Sequence, residues 1–75
     1  MTALSDLREG QRGQVVSLLT RDSMRRRLQD IGLIEGTEVE CVLKSPAGDP
    51  AAYQIRGALI ALRREDSDQV MVLPA

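Results

Sequence analysis

The chain has 75 residues, with ten basic and eleven acidic side chains, one cysteine, one aromatic residue and no histidine. That length supports one domain with a modest core, burying about 60% of the surface its unfolded form exposes. The balanced charge excludes a general phosphate-backbone binder and a polybasic membrane anchor, and a lone cysteine excludes an internal disulfide.

The opening segment, MTALSDLREG, lacks a basic stretch leading into an apolar one, so no signal peptide is expected. The longest apolar runs, such as Ala58 to Leu62, fall far short of the roughly 20 residues a membrane-spanning helix needs. A soluble cytoplasmic protein is the expectation.

In chain order, the first residues read as a lead-in, with Leu4 and Leu7 as apolar anchors and Gly10 and Gly13 as turn residues. Gln14 to Leu19 is β-branched and reads as a strand. The period then changes. Met24, Leu28 and Ile31 stand at i, i+4 and i+7, which predicts a helix over about Ser23 to Ile31. Asp22 or Ser23 is positioned to cap its first turn, Gly32 to end it in a left-handed conformation, and Arg26 to pair with Asp30 on the outside.

Period two returns after the Glu35-Gly36 turn. Val39, Cys41 and Leu43 are predicted to face the core, with Glu38, Glu40 and Val42 outside. Ala52 to Arg56 repeats the alternation, and Ser45 to Pro50, SPAGDP, joins the two strands as a hairpin loop. Pro46 suits the second position of a type I turn with Ser45 before it and Gly48 at its end, and Asp49 is pushed toward an extended conformation by Pro50. Such a loop is stiff, with little ordering entropy left to lose on contact. A strand from Ala58, a polar turn at Arg64 to Gln69 and a final strand over Val70 to Pro74 complete the chain. Five short strands with one inserted helix predict an all-β fold with helical decoration: a small, partly open barrel, SH3-like in preference to OB-like.

The residues needed for chemistry are missing. Without histidine, Cys41 and the serines have no neighbouring base in sequence, no cysteine–carboxylate pair has metal-ligand spacing, and no glycine-rich phosphate cradle is present. A non-enzymatic protein without metal or cofactor is expected, with Cys41 as a buried hydrophobe. Arg25, Arg26 and Arg27 read as a solvated helix face or as a contact for an acidic partner. Leu33 and Ile34 read as core closing the barrel end or as an exposed docking patch. The SPAGDP loop reads equally as connector or contact.

Taken together, several segments resemble the FeoA family, small accessory proteins of bacterial ferrous iron uptake. They are Arg27 to Leu33 (RLQDIGL), the turn at Glu35 to Thr37, the loop at Ser45 to Pro50, the Arg56-Gly57 pair, and Ala61 to Asp66 running into an acidic turn. The chain departs from the family's usual pattern at Glu35, where proline is frequent, and at Ala47, where a larger apolar residue is frequent. The resemblance implies an SH3-like barrel and a partner, the ferrous iron permease FeoB with its cytosolic G-protein domain. The expectation is therefore an adaptor that supports or regulates FeoB and meets the membrane only through it, with no nucleic-acid partner. The residues expected to make the contact are Arg25, Arg26, Gln29, Leu33, Pro46, Gly48, Asp49 and Pro50. The alternative is a metal-responsive module that senses or carries ferrous iron itself.

Overall fold

A computed structural model describes residues 1–75. Six strands form one antiparallel sheet: β1 (Thr2–Ala3), β2 (Arg12–Leu18), β3 (Glu38–Lys44), β4 (Ala51–Ile55), β5 (Ala58–Leu62) and β6 (Val70–Pro74). Their order across the sheet is β1-β6-β2-β3-β4-β5. A 3₁₀ turn at Leu4–Asp6 follows β1, helix α1 (Asp22–Asp30) lies between β2 and β3, and the single-turn helix α2 (Arg64–Ser67) joins β5 to β6.

Five strands were expected and the sixth is β1. Two residues are too short to show an alternation, so the strand is visible only through its pairing, Thr2 with Val72 and Ala3 with Met71. The two apolar anchors beside it are both fully buried, Leu4 and Leu7 sealing one end of the core.

Fourteen buried apolar side chains form one cluster, with Met24, Ile31 and Ile60 packed against its margin. Val15, Val39, Tyr53, Ile55, Val70 and Val72 come from the inner face of the strands, and Leu28 and Leu33 from α1 and its exit. Burying an aliphatic side chain of this size contributes about 1.5–3 kcal/mol, so a nearly aromatic-free core is adequate for a domain of this size.

Two bulges adjust the pattern. Val39 pairs with Ile55 and Cys41 with Tyr53, as strict alternation requires, but the next pair is Leu43 with Ala52. Val42 is the extra residue, so Leu43, expected to face the core, is instead turned out and 59% exposed. A one-residue slip exchanges the two faces of a strand, and a bulge applies that slip to the residues beyond it. The other bulge lies between Val15 and Ser17 on β2, opposite β6.

The exit of α1 is built as a Schellman motif. The Gly32 N–H donates to the Gln29 carbonyl at 3.0 Å and the Leu33 N–H to the Leu28 carbonyl at 3.1 Å. Gly32 has φ +106, and Leu28 and Leu33 supply the apolar contact that accompanies this ending. The chain then turns at Ile34–Thr37, closed by Thr37 N–H to the Ile34 carbonyl at 3.0 Å with Gly36 at φ +91. That turn docks on β2 through Val15 N–H to Thr37 O and Gly36 N–H to Val15 O, both 2.8 Å.

The entry of α1 differs from expectation. Its N-cap is Arg21, and no side chain caps the first turn. Asp22 lies inside the helix with φ +57, in the left-handed region. The Arg26–Asp30 pair does not form. The ion pairs are Arg12–Glu40 at 3.4 Å, Arg27–Asp66 at 4.0 Å and Arg63–Glu65 at 3.7 Å.

Candidate functional site

The loop from Ser45 to Pro50 has the expected turn. Gly48 N–H donates to the Ser45 carbonyl at 2.7 Å, and Gly48 has φ +83. The Asp49–Pro50 peptide bond is cis. The loop is also anchored at a point its own sequence does not reveal: Asp49 Oδ1 accepts the backbone N–H of Arg64 at 2.9 Å. Arg64 opens α2, whose N-cap, Arg63, offers no side-chain acceptor. A carboxylate from the hairpin loop therefore satisfies one of the donors that every helix leaves unpaired at its start.

From there α2 connects the loop to α1. Asp66 is nearly buried and faces the exposed guanidinium of Arg27 across 4.0 Å. Arg63 and Glu65 stand between, lining the surface beside Asp49 and Pro50 on one side and beside Met24 and Arg27 on the other. The result is one continuous polar ridge from Pro50 through Arg63 and Glu65 to Arg27. Arg26 lies at its far end with Asp22, Ser23 and Asp30.

The expected contact residues divide into two groups. Arg26, Pro46, Gly48, Asp49 and Pro50 lie along or beside this ridge. Arg25 and Gln29 project on another flank of α1, where they border a cleft of about 290 Å³ over Val15 to Leu18 on β2, with Ile34 and Glu35 at its end. There Arg25 Nη1 donates to the Leu18 carbonyl at 3.1 Å, fastening the helix to the strand. Leu33 needs correction: it is 0% exposed, and its side chain completes the core under the helix exit. Its neighbour Ile34, 41% exposed, is the apolar side chain available at that turn.

Sequence reasoning placed Arg27 with Arg25 and Arg26 on the helix face but missed Arg63, Glu65 and Asp66 as part of the ridge. The signal was the polar run after β5, which read as a turn without any mark of what it touches.

Neither side chain with a shifted pKa lies on this surface. Burial pushes the Cys41 thiol up, Lys44 opposing and Glu9 and Glu40 adding to the rise. Burial likewise raises the Tyr53 phenol against the opposing effect of the Ser67 side chain. Cys41 is thus a protonated thiol, 0% exposed, rather than a thiolate nucleophile. No group of three or more histidine, cysteine or acidic side chains comes together, and no helix is long and apolar enough to cross a membrane.

Comparison with known proteins gives the geometry a context. Residues 2–74 match the FeoA domain. The chain is 32% identical over 69 residues to a protein of Porphyromonas gingivalis described as a fusion of Fe(2+) transport protein A with the Fe(2+) transporter FeoB; the match covers 92% of this chain and 8% of that protein. The solution structure of FeoA from Chlorobium tepidum superposes with a TM-score of 0.89 at 33% identity, covering 97% of this chain and 70% of that one. The crystal structure of Stenotrophomonas maltophilia FeoA complexed with zinc, described as a prokaryotic SH3 domain protein, superposes at 0.84 with 32% identity, covering 96% and 89%. The fold is SH3-like, as expected from the short strands and the compact polar turn before the last of them.

Proposed function

Because the chain belongs to the FeoA family, which is associated with ferrous iron transport, we propose that it is a non-enzymatic cytoplasmic adaptor. In this reading it docks on the cytosolic G-protein domain of a FeoB-type permease and supports or regulates iron entry. The observation that carries the reading is the relative in which a domain like this one is fused to FeoB. Fusion holds two modules at high effective concentration, which is useful where the separate modules must meet.

The docking face in this proposal is the ridge from the Pro46–Pro50 loop to Arg26, with Arg25, Gln29 and the exposed Ile34 on the adjoining flank. Its rigidity supports the assignment. The loop is fixed by its own turn and by Asp49, so little ordering entropy opposes contact.

The test is a pull-down with the cytosolic region of the permease. Arg26→Glu reverses an exposed charge without touching the core and is expected to weaken capture. Pro46→Ala is expected to weaken it less. Asp49→Ala also uncaps α2, so its melting temperature must be read beside its binding. Unchanged capture by Arg26→Glu and Pro46→Ala together overturns the surface, and no capture of the wild type overturns the partner.

A further inference from the structure

Helix α1 runs back along β2, and the two leave a cleft between them. Arg25 Nη1, on the Leu18 carbonyl at 3.1 Å, closes one end. The Ile34–Thr37 turn closes the other through its two 2.8 Å bonds with Val15. Val15 and Leu18 are three residues apart on a strand, so the two ends are separated by about 10 Å. The β2 bulge lies between them, and Val16, its extra residue, borders the cleft only partly buried.

The cleft is apolar along its middle and oppositely charged at its ends. Val16 and the exposed Ile34 give apolar surface, and Leu19, also exposed, follows β2 at the arginine end. Of the residues that border the cleft, only Arg25 and Glu35 are charged. Neither belongs to an ion pair, and the Leu18 carbonyl occupies only one of the five guanidinium donors of Arg25. The surroundings keep these signs. Arg21 stands one helical turn before Arg25, whereas the acidic side chains of α1, Asp22 and Asp30, border its opposite flank with Arg26 and Arg27. Glu38, three residues after Glu35, borders a different cleft, together with Arg56 and the paired Arg12 and Glu40.

We infer that this cleft is the contact face of a homodimer, in which each copy lays its Ile34 against the cleft of the other. The order of charges selects a second copy of this chain as the occupant. A twofold axis lying across the cleft sets it antiparallel to its twin. A surface positive at one end and negative at the other is then its own complement. Arg25 of each copy meets Glu35 of the other, and Ile34 meets the apolar surface at Leu18 and Leu19. A partner of one charge sign would satisfy one end and be repelled by the other. A net charge of −1 sets little repulsion against self-association. With so few side chains, the face falls below the roughly 800 Å² per partner of a standard interface, so the dimer is weak and forms as concentration rises. It covers Arg25, Gln29 and Ile34, the flank of the docking face proposed above, but does not depend on that reading.

The test follows the full chain from micromolar to millimolar concentration by sedimentation velocity and by backbone amide shifts. A monomer–dimer equilibrium is expected, with the concentration-dependent shifts concentrated at 16–19, 25, 29 and 34–35. Glu35→Arg changes an exposed side chain and sets arginine against arginine twice. Two ion pairs are lost and two repulsions gained, so association should weaken at least about tenfold. Adding Arg25→Glu reverses both ends and should restore it. If the lost grip on Leu18 unfolds that double variant, salt gives the same information: it should weaken the wild-type dimer and strengthen that of Glu35→Arg. A wild type that stays monomeric at millimolar concentration overturns the inference. So do an unweakened Glu35→Arg dimer, a folded double variant that stays monomeric, salt effects of one sign in both proteins, or shifts that map to another face such as β5.

Discussion

The two ends of α1 are made in opposite ways. At the C-terminal end, Gly32, Leu28 and Leu33 produce a complete Schellman motif with its apolar contact in the core. At the N-terminal end Arg21 caps nothing with its side chain, and Asp22 is held at φ +57. The difference follows from what each end touches. The exit is packed against β4 and the β4–β5 turn, so closely that a Cβ on Gly32 would sit 2.8 Å from Cδ of Arg56 and 3.2 Å from Cγ2 of Ile55. The entry consists of the exposed residues Arg21, Asp22 and Ser23, and its position is set by the connection from β2 and by Arg25 gripping the Leu18 carbonyl. A helix end that is part of the core is finished by its local sequence, whereas one that is pinned from outside can dispense with a cap.

The largest expected effect is at the exit. Gly32→Ala imposes both a left-handed strain and a steric overlap and should destabilise the fold by about 3 kcal/mol in urea titration. Adding Arg56→Ala, which removes the overlapping Cγ and Cδ but keeps a side chain at the positive φ of residue 56, should recover only the steric share, leaving the loss from φ at Gly32. Full recovery would mean that the backbone at Gly32 is not the constraint and that the contrast between the ends is one of crowding alone.

The entry should respond in the opposite direction. Arg21→Asp supplies the missing acceptor and is expected to raise stability by about 1 kcal/mol. Asp22→Gly relieves the positive φ and should raise it by about 0.5 kcal/mol. Neither change touches the core, so m-values should not move. A loss of stability from either would show that Arg21 or Asp22 makes a compensating contact of its own.

The smallest effect concerns pH and separates the helix from the core beneath it. Cys41 and Tyr53 are both acids whose pKa is raised on folding, from 9.0 and 10.0. The native state therefore favours their neutral forms. Their contribution is complete below about pH 9 and is lost as pH rises through the raised values, the thiol first. Melting temperature should fall progressively above about pH 9, and the fall should be shallower in Cys41→Ala. The entry variants should lose stability in parallel with the wild type.

Much of this was legible in the sequence wherever a local rule met a local cause. The helix showed its period at Met24, Leu28 and Ile31, and Gly32 announced its end. Val39 and Cys41 announced the inner face of β3, and the SPAGDP turn closed as its residues required. Legibility failed where the cause was distant. Val42 becomes a bulge because of how β3 meets β4, and Leu43 leaves the core with it. Leu33, left between core and surface by its sequence, is decided by the exit of α1, which folds it inward. Asp49 caps a helix that begins fifteen residues later, and Arg27 faces Asp66 while Arg26 leaves Asp30 unpaired. At the proposed site the sequence marked the loop and the helix but not α2, which joins them, because nothing in a polar run tells which neighbours it will meet.

The place of β6 bears on how such a molecule comes into being. It is the last strand in the sequence, yet it lies between β1 and β2, paired to both. Neighbouring strands close the β3–β4–β5 meander through short connections, but β1 has no neighbour until β6 folds back beside it. Closure by contacts so far apart along the chain is entropically slow. Until then the half-made sheet leaves Val15, Leu4 and Leu7 uncovered, which makes β6 the lock of the whole assembly.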